Sequence, residues 1–245
     1  MERVYGLHAV RALLERAPAR VRRLYLQRGR DDPRVAQLEA LARHAGCGVE
    51  RVESARITAW VGEVAHQGAL VDVDPLAPMH EDDLYERVGA TPDPLLLALD
   101  GVQDPHNLGA CLRTADACGV LAVIVPRDRA APLNATARKV AAGAAETTPV
   151  VTVTNLARCL ATLRKEAGVW IAGAAAEAGQ PAHRVDLKGA RCLVLGAEGA
   201  GLRELTRRHC DWLVSLPSLG AVESLNVSVA CGMLLYEALR QRRPG

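Results

Sequence analysis

Along the first 75 residues the apolar positions switch between two spacings. In LHAVRALLER (7–16) and DPRVAQLEALARHAG (32–46) they recur every third or fourth residue, which predicts amphipathic helices. The second of these also has Pro in its first turn and Gly at its end, the usual start and stop signals. RRLYLQ (22–27), GVERV (48–52) and GALVDVD (68–74) read as strands, with SARITAWVGE (54–63) as a helix between the last two. The pattern predicts a small α/β sandwich over 1–75. The Pro- and acid-rich stretch that follows is expected to be a linker, 76–92, with room for one short helix.

From 93 to 245 the pattern changes to apolar runs separated by helices. LLLALDG, VLAVIVP, TPVVTVT, VWIAGAA, RCLVLGAEG and WLVSLP are the runs. NLGACLRTADACG, NATARKVAAGAAE, NLARCLATLRKEAG, LRELTRRH and VESLNVSVACGMLLYEALRQ are the helical segments. Continuous rather than alternating apolar strands point to a parallel sheet covered on both faces. No internal repeat or low-complexity tract interrupts this order.

In such a sheet, ligands bind beyond the carboxyl ends of the strands, and three loops there are unusual. LDGVQDPHNLGACLRTAD (99–116) breaks its strand at Asp104-Pro105 and offers Asn107 as a helix cap. Leu108, Cys111, Leu112 and Ala115 make that helix's apolar stripe, and Arg113 lies about 140° round from Leu108, away from the stripe. LVLGAEGAGL (193–202) sets Glu198 among glycines, yet lacks both the G-x-G-x-x-G dinucleotide pattern and the Gly-Lys-Ser/Thr of a phosphate-binding loop. The last helix opens on Glu223, Ser224, Asn226 and Ser228, four polar groups where one cap would suffice.

Composition narrows the classes further. Aromatics are 3% of the chain and Phe is absent, which argues against recognition by base-stacking sheets. The seven cysteines show neither C-x-x-C nor finger spacing and sit among Ala, Leu and Val, so buried free thiols are expected and no metal. No stretch has the length of a membrane span, and a reduced, cytoplasmic protein is expected. The net charge is +2, but residues 1–60 hold twelve Arg against seven acidic residues. That local excess suits a polyanion-facing module.

The three loops resemble the signature motifs of the SpoU (TrmH-type) branch of the SPOUT RNA methyltransferases. The first matches at Asp104, Pro105, Asn107, Gly109, Arg113, Thr114 and Ala115, the second over 195–201, and the third as Ser-Leu-Asn-Val-Ser at 224–228. Asp104 stands where many relatives have Asn, and Glu223 where some have Ser. YGLHAVRALLE and HQG (66–68) resemble the small L30e-like RNA-binding domain of the subgroup that modifies large-subunit ribosomal RNA.

The resemblance implies an L30e-like domain (1–75), a linker, and a SPOUT domain (93–245) with a C-terminal trefoil knot, acting as a homodimer. It implies S-adenosylmethionine as cofactor, held by Gly196, Ala197, Leu216 and Leu225. It implies 2′-O-methylation of a guanosine in a 23S rRNA hairpin that contacts P-site tRNA. Arg113 would be the central catalytic residue, with Asn107, Glu198, Ser224 and Asn226 completing the site. Whether Arg113 acts as base or as electrostatic clamp stays open, and a guanidinium's lasting charge favours the clamp. Three alternatives remain: the same chemistry on tRNA, a non-catalytic RNA-binding protein, and a nucleotide-dependent oxidoreductase. The missing dinucleotide pattern counts against the last.

Overall fold

The computed structural model describes residues 2–75, 79–218, 220 and 225–243. The chain divides into two compact units, residues 1–77 together with 142–147, and the remainder.

In the first unit the order is β1 (Glu2–Tyr5), α1 (Leu7–Arg16), β2 (Val21–Gln27), α2 (Pro33–His44), β3 (Gly48–Val52), α3 (Ser54–Val61) and β4 (Ala69–Val73). The sheet order is β1-β4-β2-β3, with β4 antiparallel to β1 and β2, and β3 parallel to β2. Leu7, Val10, Leu13 and Leu14 of α1 share one core with Val35, Leu38 and Ala42 of α2. Ile57 of α3 sits in a second cluster with Val52 and Leu70, flanked by Tyr25 and Trp60. Asp32 caps α2 through the backbone N–H groups of Arg34 and Val35. β1 is an addition to the predicted elements, because four residues of mixed polarity give no periodicity to read. The arginine excess is largely matched locally: Arg22 pairs with Asp74, Arg23 and Arg56 with Glu50, and Arg51 with Glu39.

The second unit runs α4 (Glu81–Gly89), β5 (Leu95–Asp100), α5 (Pro105–Ala117), β6 (Ala122–Pro126), α6 (Ala135–Ala141), β7 (Val150–Val153), α7 (Leu156–Glu166), β8 (Trp170–Ala174), β9 (Arg191–Gly196), α8 (Glu204–Arg208), β10 (Trp212–Val214) and α9 (Val227–Arg242). Its six strands are all parallel, in the order β10-β8-β9-β5-β6-β7. Leu96 and Ala98 of β5 join a core with Leu84 and Val88 of α4 and Leu156, Cys159, Leu160 and Leu163 of α7. Leu97 and Leu99 alternate with these and are also fully buried, as strands covered on both faces require. α5 packs against α6 and α9. Helix α4 thus lies in the stretch read as linker, and its acidic first turn suits a helix N-terminus.

Because every strand of the second sheet points the same way, β5, β9 and β10 deliver their outgoing loops to one edge. Burial pushes the thiols of Cys159 and Cys210 up to about 12, and that of Cys192 well above its ordinary value. These cysteines behave as small apolar core residues. No helix among the described residues is long and apolar enough to cross a membrane.

Candidate active site

The first loop ends on Asp104, not Asn107, as the cap of α5. The Asp104 carboxylate accepts from the backbone N–H of His106 at 2.9 Å, and Pro105 occupies the first helical position, where its missing N–H costs nothing. Asn107 is thereby the third residue of the helix, and its side chain is released for another use. Leu108, Gly109, Cys111, Leu112 and Ala115 are buried, and Arg113 faces solvent, as the helical count requires. Arg113 makes no hydrogen bond or ion pair among the described residues.

The second loop is folded onto itself. A Cβ on Gly196 would lie 2.0 Å from the carbonyl carbon of Gly201, so the exit of β9 admits only glycine. Ala197 and Gly201 exchange both backbone hydrogen bonds, at 3.1 and 2.8 Å, with Gly199 and Gly201 at positive φ. Below this turn Asp100, fully buried at the end of β5, accepts from the backbone N–H of Arg203 at 2.9 Å and from its guanidinium. That pair ties the β5 exit to the start of α8. Sequence reading missed it, although an acid at a strand end and an arginine just past a glycine loop are both visible.

Glu198, at the tip of the turn, joins the three loops. Its Oε1 accepts from Nδ2 of Asn226 at 2.6 Å, Nδ2 of Asn107 at 3.3 Å and the backbone N–H of Val227 at 3.3 Å. Nδ2 of Asn226 also donates to Oδ1 of Asn107 at 3.0 Å. Oδ1 of Asn226 accepts from the N–H and the hydroxyl of Ser228, at 2.9 and 2.6 Å, which makes Asn226 the N-cap of α9. The helix therefore begins at Val227, several residues later than its sequence pattern suggests. Ser224, one of the predicted site residues, lies outside the described residues, as does Glu223.

Two hollows flank this junction. One is a cleft of about 270 Å³ lined by the glycine loop together with Ala174, Leu195, Val214, Leu216, Leu225 and Ala230. Gly196, Ala197, Leu216 and Leu225 all line it. Glu177 and Arg207 form an ion pair at its wall. The Glu177 carboxyl is held below its ordinary range, first by its own backbone N–H and then by Arg207. The other hollow, about 370 Å³, is lined by residues 101–104, Asn107, Ala197, Glu198, Ala200 and Val227. Among the described residues no group of three or more His, Cys, Asp or Glu could hold a metal ion.

A parallel α/β domain that gathers three polar strand-to-helix loops around an apolar cleft has the architecture of an enzyme that holds a nucleoside-sized ligand beyond its strand ends. The chain belongs to the SpoU rRNA methylase family, whose model matches residues 94–236. A second model, RNA 2′-O ribose methyltransferase substrate binding, matches residues 3–79. The chain is 54% identical over 244 residues to the 23S rRNA (guanosine-2′-O-)-methyltransferase RlmB of Pseudomonas aeruginosa, covering 99% of this chain and 98% of that one. The Escherichia coli protein of the same name is 49% identical over 241 residues, covering 98% and 99%. Among solved structures, the SpoU methyltransferase AviRb from Streptomyces viridochromogenes, in complex with the cofactor AdoMet, is 25% identical. It superposes with a TM-score of 0.75 over 98% of this chain and 89% of that one.

Proposed function

We propose that this chain transfers a methyl group from S-adenosylmethionine to the 2′-hydroxyl of a guanosine in 23S rRNA. The observation that carries the reading is the junction of Asn107, Glu198 and Asn226 beside an apolar cleft, with Asn107 on the helix that presents Arg113.

The cleft suits the cofactor. Leu195, Val214, Leu216 and Leu225 are apolar walls for a flat heterocycle. A Cβ on Gly199 or Gly201 would meet nothing within 4 Å, so the loop leaves open space for close backbone approach. When bound, the cofactor supplies a methyl on a sulfonium, activated toward an oxygen nucleophile. The protein's part is to align the ribose hydroxyl and steady its charge as the proton leaves. Arg113 clamps an RNA phosphate and stabilises the developing alkoxide, the role that suits a guanidinium's lasting charge. The hydroxyl proton passes to the phosphate so held. Glu198 positions the amides of Asn107 and Asn226, which orient the ribose, and the family resemblance assigns Ser224 to the same site.

The remaining parts of the reading follow from this one. Residues 1–75 select the RNA and residues 93–245, with the family's C-terminal knot, carry out transfer. The chain works in the cytoplasm, where ribosomal RNA is modified. It does so as a homodimer, a state supported by the exposed apolar residues of α9.

The test is transfer of labelled methyl to unmodified 23S rRNA, tRNA and short hairpins in parallel, followed by digestion to nucleosides. Label in 2′-O-methylguanosine from 23S rRNA is expected, and label in tRNA alone would overturn the target. Arg113→Ala should cut transfer at least a hundredfold while cofactor affinity stays within about twofold. Wild-type turnover in that variant would remove Arg113 from the mechanism.

A further inference from the structure

The second of the two hollows has no part in the mechanism above, yet it shares Asn107, Glu198 and Val227 with the reaction centre. At about 370 Å³ it falls within the range of small-molecule sites, and one purine nucleoside would fill it. Asn107 and Glu198 line it and belong to the reaction centre's hydrogen-bonded junction, so a nucleotide seated there would have its ribose next to the Asn107–Glu198–Asn226 group.

Two polar side chains at its rim have spare capacity. Asp104 caps α5 with Oδ1 only, and its second oxygen makes no hydrogen bond among the described residues. Gln103, the preceding residue, is exposed and equally uncommitted. A carboxylate is an acceptor only, whereas an amide both donates and accepts. Guanine is the one standard base whose pairing edge places two adjacent donors, N1–H and the N2 amine, next to an acceptor, O6. Adenine and cytosine present an unprotonated ring nitrogen at the same place, which a carboxylate repels. Uracil offers a single donor flanked by acceptors.

We propose that this recess is a base-reading pocket for guanine, in which Asp104 accepts from N1–H and N2–H and Gln103 donates to O6. Asp104 thereby has two duties: one oxygen starts the helix that carries Arg113, and the other selects the base beside the reacting ribose. The inference rests on the methyl-transfer reading, and it adds the residue that sets which nucleotide is chosen. The alternative is that Asp104 is a helix cap alone and base choice is made elsewhere, in the first unit for example.

The test is kcat/KM on one rRNA hairpin carrying guanosine, inosine or adenosine at the methylated position, with wild type, Asp104→Asn and Asp104→Ser. Asn and Ser cap helices about as well as Asp, so the fold and the Arg113 helix are retained, and thermal unfolding checks this. Wild type should prefer guanosine over adenosine by about a hundredfold or more, with inosine between, because inosine keeps N1–H but lacks the amine. In Asp104→Asn the amide can donate to adenine N1 while Gln103 turns its carbonyl to accept from the N6 amine, so the guanosine-to-adenosine ratio should fall at least tenfold. Asp104→Ser should weaken guanosine and inosine without helping adenosine. Binding of the same hairpins without cofactor should shift in the same direction. An unchanged ratio in both variants would overturn the pocket and leave Asp104 as a cap. Equal wild-type transfer to all three hairpins would overturn the pocket while leaving the methyl-transfer reading intact. No transfer to any hairpin would overturn that reading, and the pocket with it.

Discussion

Glu198 accepts from three donors through a single oxygen, and two of those donors are amides that also bond to each other. The arrangement depends on the negative charge, because charge-assisted hydrogen bonds are about twice as strong as neutral ones. Asn226→Asp tests this sharply. Aspartate caps α9 as well as asparagine does, so the helix start survives, but a second carboxylate then stands 2.6 Å from the first. Two carboxylates so close cannot both ionise easily, and one of them takes up a proton, with its pKa raised. The protonated pair keeps a hydrogen bond and the doubly charged pair repels. Transfer by the variant should therefore be greatest at acid pH and fall as pH rises through the raised value, by about tenfold or more relative to wild type. A pH–rate profile parallel to wild type would show that Glu198 and Asn226 do not act as a unit. At this scale the sequence was partly legible. Glu198 stood out among glycines, and counting 100° per residue turned Arg113 outward. The cap preference of Asn107 gives way to Asp104-Pro105, which is not only the break of the strand but also the helix start, three residues earlier.

At the scale of elements, helix α5 is held by a close crossing. A Cβ on Gly109 would lie 2.5 Å from the carbonyl oxygen of Ala137 and 2.7 Å from Cβ of Val140, both on α6. Gly109 belongs to the signature motif, and its role here is packing: it brings α6 against the helix that carries Arg113. Gly109→Ala should destabilise the protein by about 1–3 kcal/mol, the usual range for overpacking a filled interface, read from the midpoint of urea unfolding. A change below about 0.5 kcal/mol would mean that α6 moves aside at little cost. The order of these elements could be read from apolar periodicity, which is local. The neighbour relations β10-β8-β9-β5 could not, since they depend on which strands meet after the chain has returned from far away. The late start of α9 was also hidden. Its helical spacing runs back through Leu225 and Val222, and only the bond of Asn226 to Ser228 marks where the helix begins.

For the whole molecule, helix α9 has two faces with different fates. Taking 100° per residue, Val227, Cys231, Leu234, Leu235 and Ala238 fall within an arc of about 100° and are buried. On the opposite side Val229, Met233 and Tyr236 fall within an arc of about 60° and remain 50%, 44% and 65% exposed. A contiguous stripe of three large apolar side chains on one exposed helix face is the kind of surface that marks an interface. A second copy offers the same stripe, so a two-fold contact would be self-complementary without further design. Met233→Glu combined with Tyr236→Glu places like charges on both sides of such a contact and leaves the buried face untouched. Sedimentation velocity should find wild type as a dimer and the double variant as a monomer, with urea stability of the second unit's core little changed. Methyl transfer should then separate two arrangements: loss of activity in a folded monomer means the site needs its neighbour, and retained activity means each subunit is complete. A double variant that still sediments as a dimer would remove the stripe from the interface and move the contact to another face of the chain.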